Sequence, residues 1–176
     1  MGSAALRVSD TAIGAPQRAW YALQVRANHE RTVAAALRLA GIEEYLPQYF
    51  TRSIWSDRVK VLARPLFPGY VFGCFDPAAG LPVLAGVIGC LPNNLAPAAV
   101  PAAQLESIRI MCESGLPVEP AKLVAGRRVR VERGPLAGAE GVILRERDSW
   151  RLVVSVEIFG RAVSVEVDRD SLRGLA

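Results

Sequence analysis

The stretch "RPLFPGYVFGCF", residues 64–75, sets a proline and a glycine side by side at the entry to an aromatic-rich strand. Proline presets its own φ and glycine accepts a positive one, so Pro68–Gly69 reads as a tight corner. Beyond it, alternation places Tyr70 and Phe72 on one face of a strand and Val71 and Phe75 on the other. Such a strand can stack bases, dock a protein or fill a core. The glycine and three aromatics of "PGYVFGCF" match an RNA-recognition strand. However, Pro68 stands where that pattern has a basic residue, Val71 where it has a small one and Gly73 where it has an aliphatic one. Phe72 and Phe75 also read as core. Phe67 and Tyr70, flanking a rigid corner, are expected to stay exposed, as suits a protein anchor.

Working outward, "WYALQVRA" at 20–27 suits a strand, Asn28 is a candidate helix cap, and Glu30 falls in the first turn. Val33, Ala36, Leu37 and Ala40 recur at helical spacing until Gly41. "EYLPQYFTRSI" and "VKVLARPLFPGYVFGCF", joined by "WSDR" at 55–58, predict an antiparallel hairpin, and "VIGCL" a further strand. Pro101 opens a second helix, with Leu105, Ile108 and Cys112 as its buried stripe and Gly115 as its stop. The fold class is α+β, with both helices on one face of a small, mainly antiparallel sheet. The pattern changes at "GLPVEPAKLVAG", 115–126, which carries two prolines and no periodicity. From Arg127 onward there are only short strands: "RRVRVER", "GVILRE", "WRLVVSVEIF" and "AVSVEVD". About fifty residues of this kind predict a small closed β-barrel, better suited to docking than to catalysis. The arginines at 127, 128, 130 and 133 read as the solvated face of a strand. The expected division is a tail at 1–19, a first domain at 20–115, a linker at 116–125 and a second domain at 126–176.

Half of the 176 residues are hydrophobic (51%) and 22% are charged, the balance of a globular chain. No apolar run is long enough to span a bilayer, and the first 19 residues lack a signal-peptide pattern, so the expected location is the cytoplasm. A net charge of +4 permits contact with nucleic acid without requiring it. Cys74, Cys90 and Cys112 are widely spaced and the single histidine, His29, is far from them in sequence, which predicts reduced thiols and no metal site. No Walker loop, dinucleotide fingerprint or nucleophile turn is present. The short acidic pairs Glu43–Glu44 and Asp168–Asp170 read as solvated. An enzyme is not expected, nor is any cofactor.

"PLFPGYVF" after a hairpin, with "WYALQVRANHERTVAAAL" upstream, resembles the N-terminal (NGN) domain of the bacterial NusG family of transcription elongation factors. "GRRVRVERGPLAGAEGVIL" and "RLVVSVEIFGRAVSVEV" resemble that family's C-terminal KOW domain, an SH3-like barrel. The resemblance runs from Trp20 to Leu172 in the family's domain order. It implies that Phe67, Pro68, Gly69 and Tyr70, with Trp20 and Tyr21 on the adjacent strand, bind the clamp helices of the largest RNA polymerase subunit. It implies contact between Arg26, His29 and Arg31 and the DNA of the transcription bubble. It also implies that Ile158, Phe159 and Arg161 bind a ribosomal protein or the termination factor Rho. The ending "AVSVEVDRDSL", in place of the housekeeping factor's Thr-Pro-Val-Glu-Leu run, is closer to specialised, operon-targeted antiterminators and weighs against Rho. The competing reading is an RNA-binding protein that uses the aromatic strand and the barrel independently of polymerase.

Overall fold

The computed structural model describes residues 18–174 apart from 56–57, 93–95, 147–148 and 157–159, with the side chains of 52–60 and 146 left aside. The first sheet is built around the quoted stretch. Strand β1 (Ala19–Val25) is followed by helix α1 (Glu30–Leu39), strand β2 (Glu43–Tyr45), the hairpin β3 (Gln48–Trp55) and β4 (Arg58–Pro65), and then β5 (Tyr70–Phe75). Strand β6 (Val87–Cys90) and helix α2 (Ala102–Glu113) complete this half. The sheet order is β2-β5-β1-β6, antiparallel throughout, and among the described residues β3 and β4 pair only with each other, as the sequence predicts for a hairpin.

Strand β5 is central, so both its faces need cover, and the alternation of its residues decides what covers each. The face carrying Val71 and Phe75 packs with Tyr21, Leu23 and Val25 of β1 against Val33, Ala34 and Leu37 of α1. The face carrying Phe72 packs with Ala22 against Leu105, Ile108 and Met111 of α2. The helices therefore lie on opposite faces, not on one as expected. A strand that is apolar on both sides cannot leave one side to water without exposing Phe72.

Asn28 does not cap α1. His29 occupies the cap position without a side-chain bond to the helix's first N–H groups, and Asn28 sits just before it at φ 63°. There it turns the chain from strand to helix in the left-handed region that asparagine tolerates better than most residues.

The second half follows directly. Strands β7 (Val118–Ala121), β8 (Arg127–Val131), β9 (Glu140–Glu146), β10 (Ser149–Val156), β11 (Arg161–Val167) and β12 (Leu172–Gly174) form one antiparallel sheet in the order β12-β8-β9-β10-β11-β7. Two differences from expectation stand out. Residues 118–121, inside the stretch expected as a linker, form edge strand β7 against β11, where Pro120 is tolerated because an edge needs no further donor. And the pairings among the described residues run from β12 to β7 without closing a ring. As expected, Arg127, Arg128 and Arg130 are exposed while Val129 and Val131 are buried. Arg151 donates to both Glu119 (2.9 Å) and Ser164 (3.1 Å), tying β7 to the sheet.

The halves share one core. A single apolar cluster runs from Ala22, Phe67, Phe72, Leu105 and Ile108 to Val118, Val131, Leu136, Leu152 and Val165.

Candidate protein-docking corner

The corner at 67–70 is a turn closed by a bond from Tyr70 N–H to the Phe67 carbonyl (3.1 Å), with Gly69 at φ 86°. Proline at its second position and glycine with positive φ at its third make it a type II turn. Both sides of the Gly69 residue are held. Its N–H donates to Oε1 of Glu30 (2.8 Å) and its carbonyl accepts from Val25 N–H (2.8 Å). Glu30 is only 7% exposed, so the first turn of α1 clamps the corner from behind. Replacing Glu30 by Ala leaves a half-buried donor without its acceptor, and we expect a loss of about 2 kcal/mol. Glu30→Gln keeps an acceptor oxygen and should lose less than half of that. Urea denaturation of both variants checks the order, and equal losses would mean that the Gly69 bond contributes nothing.

Pro68 is exposed at the tip of the corner and Tyr70 is half-buried. Phe67 departs from expectation, being 1% exposed. Its ring meets Phe72 edge-on (centroids 5.9 Å apart, 88°), Phe72 stacks on Tyr45 (6.4 Å, 28°), and the Arg109 guanidinium lies 5.1 Å from the Tyr45 centroid. The corner thus continues into a row of aromatics under α2. Burial also raises the pKa of the Tyr45 hydroxyl. Tyr45 was not singled out from sequence, although its aromatic character two residues before "PQYF" was the available signal.

Trp20 and Tyr21 do not share a face. In the β1–β5 register Trp20 lies opposite Cys74 and Tyr21 opposite Gly73, so Trp20 is on the side of Tyr70 and Phe72. Tyr21 is turned to the α1 side, buried and 4.9 Å from the Phe75 ring. It cannot join a surface formed by Pro68 and Tyr70.

Arg26 and His29 are exposed in the strand-to-helix turn, where the His29 ring donates Nδ1–H to the Ala27 carbonyl (3.0 Å). Arg31 is exposed too, but its guanidinium donates to the Ala63 carbonyl of β4 (2.6 Å) and so braces the hairpin. Ile158 and Phe159 lie outside the described residues. Arg161 is exposed at the start of β11, with its guanidinium 5.6 Å from the Tyr70 ring centroid. Two groups of residues expected to meet different partners therefore meet each other.

All three cysteines are free thiols. Burial pushes Cys90 up to about 11 and raises Cys74 and Cys112 as well, which keeps the thiols protonated at neutral pH. No group of three or more metal-binding side chains occurs among the described residues, and no described helix is long and apolar enough to cross a membrane.

Comparison with known proteins decides the family. A family model described as NusG, "Transcription termination factor nusG", matches residues 18–109. The chain is 30% identical over 171 residues to the transcription termination/antitermination protein NusG of Vibrio vulnificus (strain CMCP6), covering 88% of this chain and 94% of that one. The chain belongs to the NusG family. NusG of Escherichia coli (strain K12) is 29% identical over the same length and coverage. A solved structure described as "Domain interaction in Thermotoga maritima NusG" covers 91% of this chain and 98% of its own, with 22% identity and a TM-score of 0.49. The quoted corner and the strand-to-helix turn both fall within the NusG family match.

Proposed function

We propose that this NusG-family chain is an elongation and antitermination factor that docks on the clamp helices of RNA polymerase through the corner at Pro68–Tyr70. Binding there and bridging toward the opposite lobe would hold the polymerase closed over nucleic acid, disfavouring pauses and termination. The observation that carries this reading is a corner fixed by bonds to both sides of Gly69, with Pro68 presented outward. A pre-formed corner loses little entropy on docking. Arg26 and His29, exposed on the turn that clamps this corner, are the proposed contacts to bubble DNA. The second sheet is the proposed KOW module, with Arg161 in its surface for a ribosomal protein or Rho. The ending "AVSVEVDRDSL" supports a specialised, operon-targeted role, and the chain would act in the cytoplasm without catalysis or cofactor.

The test passes the full chain, wild type and Pro68→Glu, over immobilised polymerase core enzyme. Position 68 is exposed, so losing proline's preset φ should cost less than about 1 kcal/mol. A carboxylate at the tip should cut retention at least tenfold. Equal retention of both would remove the corner from the interface. Retention of neither, with tight and salt-sensitive binding to single-stranded RNA, would favour the polymerase-independent RNA-binding reading.

A further inference from the structure

We propose that one end of the second sheet is a contact site for single-stranded RNA, built from Arg145, Trp150 and Arg169 and separate from the docking corner of the first half.

The strand register assembles the site. Arg145 of β9 lies directly opposite Trp150 of β10, and Trp150 lies opposite Val167 at the end of β11. Arg169 follows two residues later, in the turn that leads to β12. Trp150 is half-buried and packs against the apolar cluster, which holds the indole in place. Both guanidiniums come to this one side chain, Arg145 at 5.6 Å and Arg169 at 5.4 Å from the ring centroid. One such pair is ordinary in a chain of this length, whereas two on one indole bring like charges together.

Those charges are not neutralised from within. Elsewhere in the same sheet arginines face carboxylates: Arg130 meets Glu140, Arg151 meets Glu119 and Arg173 meets Glu132. Arg145 and Arg169 are both exposed, and neither forms an ion pair among the described residues. The carboxylate of Asp168, next to Arg169, is turned to its own backbone and accepts from the Asp170 N–H (3.3 Å). Exposed Asp170 on the other side of Arg169 limits the field, so the contact is an auxiliary one. An anion bound between the two guanidiniums relieves their repulsion.

The chemistry of the cluster selects the anion. A guanidinium laid on an aromatic ring keeps N–H groups free for bidentate bonds to a phosphate. Unpaired bases stack on aromatic rings and on guanidinium planes alike. An acidic peptide would use the charge and leave the flat surfaces idle, and a duplex keeps its bases stacked on one another. For a member of a transcription-factor family, the single strand at hand is the transcript.

The full chain is titrated into a labelled single-stranded RNA oligomer and followed by fluorescence anisotropy at several salt concentrations. Both arginines are exposed, so Arg145→Ala and Arg169→Ala leave the core in place. Each should weaken binding about three- to tenfold and lower the slope of log affinity against log salt by about 0.7. Trp150→Leu keeps apolar volume against the cluster and should weaken binding with little change of slope, which separates stacking from charge. Pro68→Glu, at the corner, should stay within about twofold of wild type. No RNA binding by wild type, or wild-type affinity in both arginine variants, overturns the site. Loss of binding in Pro68→Glu alone would put the RNA at the corner and overturn it too. Tighter binding of an acidic peptide, or of single-stranded or duplex DNA of matching sequence, would overturn RNA as the occupant. The titration contains no polymerase, so its failure and that of the docking reading are scored separately.

Discussion

Phe67→Ala is expected to lower stability by about 4 kcal/mol, the range for truncating a fully buried aromatic. For a chain of this size that is roughly 10 °C of melting temperature. Phe67 lies in the apolar cluster shared by both halves and is the first ring of the row that runs through Phe72 to Tyr45. Its removal deletes the edge-on contact with Phe72 and leaves a hole that the turn, held by Glu30 and Val25, cannot relax to fill. The corner that makes Pro68 a good anchor tip is also what makes the cavity costly. Loss of polymerase binding in this variant would therefore not identify an anchor, because the fold is weakened with it; Pro68→Glu is the discriminating change. Thermal and urea denaturation give the measurement. A loss below about 1 kcal/mol would mean that Phe67 is not held in the core in solution, which would count against the closed arrangement of the two halves.

Which features were legible in the sequence follows from how far away their causes lie. The Pro68–Gly69 corner and the split of Tyr70 and Phe72 from Val71 and Phe75 are local, fixed by φ preferences and by the period of a strand, and the structure matches them. The second run of short strands is legible for the same reason. The fate of Phe67 is not local. It precedes the strand, so no alternation assigns it a face, and its burial depends on α2 and the second sheet arriving from later in the chain. Trp20 and Tyr21 are neighbours in β1, so alternation alone puts them on opposite faces; which of the two shares a face with Tyr70 is settled only by the register with β5. Glu30 and Ser107 read as an ordinary first-turn acid and an ordinary helix serine, yet their partners, Gly69 and Glu140, are 39 and 33 residues away. Strand β7 was hidden by Pro117 just before it and by Pro120 within it, which an edge strand accommodates and a central strand would not. The candidate site was thus legible as a corner, and its cover was not.

Two glycines that look alike in sequence should respond with opposite signs to the same substitution. Gly141→Ala is expected to cost on the order of 3 kcal/mol, the upper end for forcing volume into a packed interior. A Cβ there would stand 2.5 Å from the Val153 carbonyl oxygen and 3.1 Å from its carbonyl carbon. Those are backbone atoms of β10, which pairs with β9 over 142–146 and with β11 along its other edge. Neither strand can step back without breaking a ladder. Gly73, in the middle of the quoted stretch, is different. A Cβ there meets only side-chain atoms, Phe75 Cδ1 at 3.4 Å and Leu23 Cδ1 at 3.6 Å, which are ordinary packing distances. Gly73→Ala should be neutral or stabilising by about 0.5 kcal/mol, because alanine gives up less backbone entropy on entering a strand than glycine does. The pair is measured together by urea denaturation, with hydrogen exchange at the β9–β10 amides to locate the damage. A tolerated Gly141→Ala would mean that β9 and β10 do not approach as closely as the structure has them, and the second sheet's register would need revision. A destabilising Gly73→Ala would mean that the α1-side core around Phe75 has no room for a single methyl group.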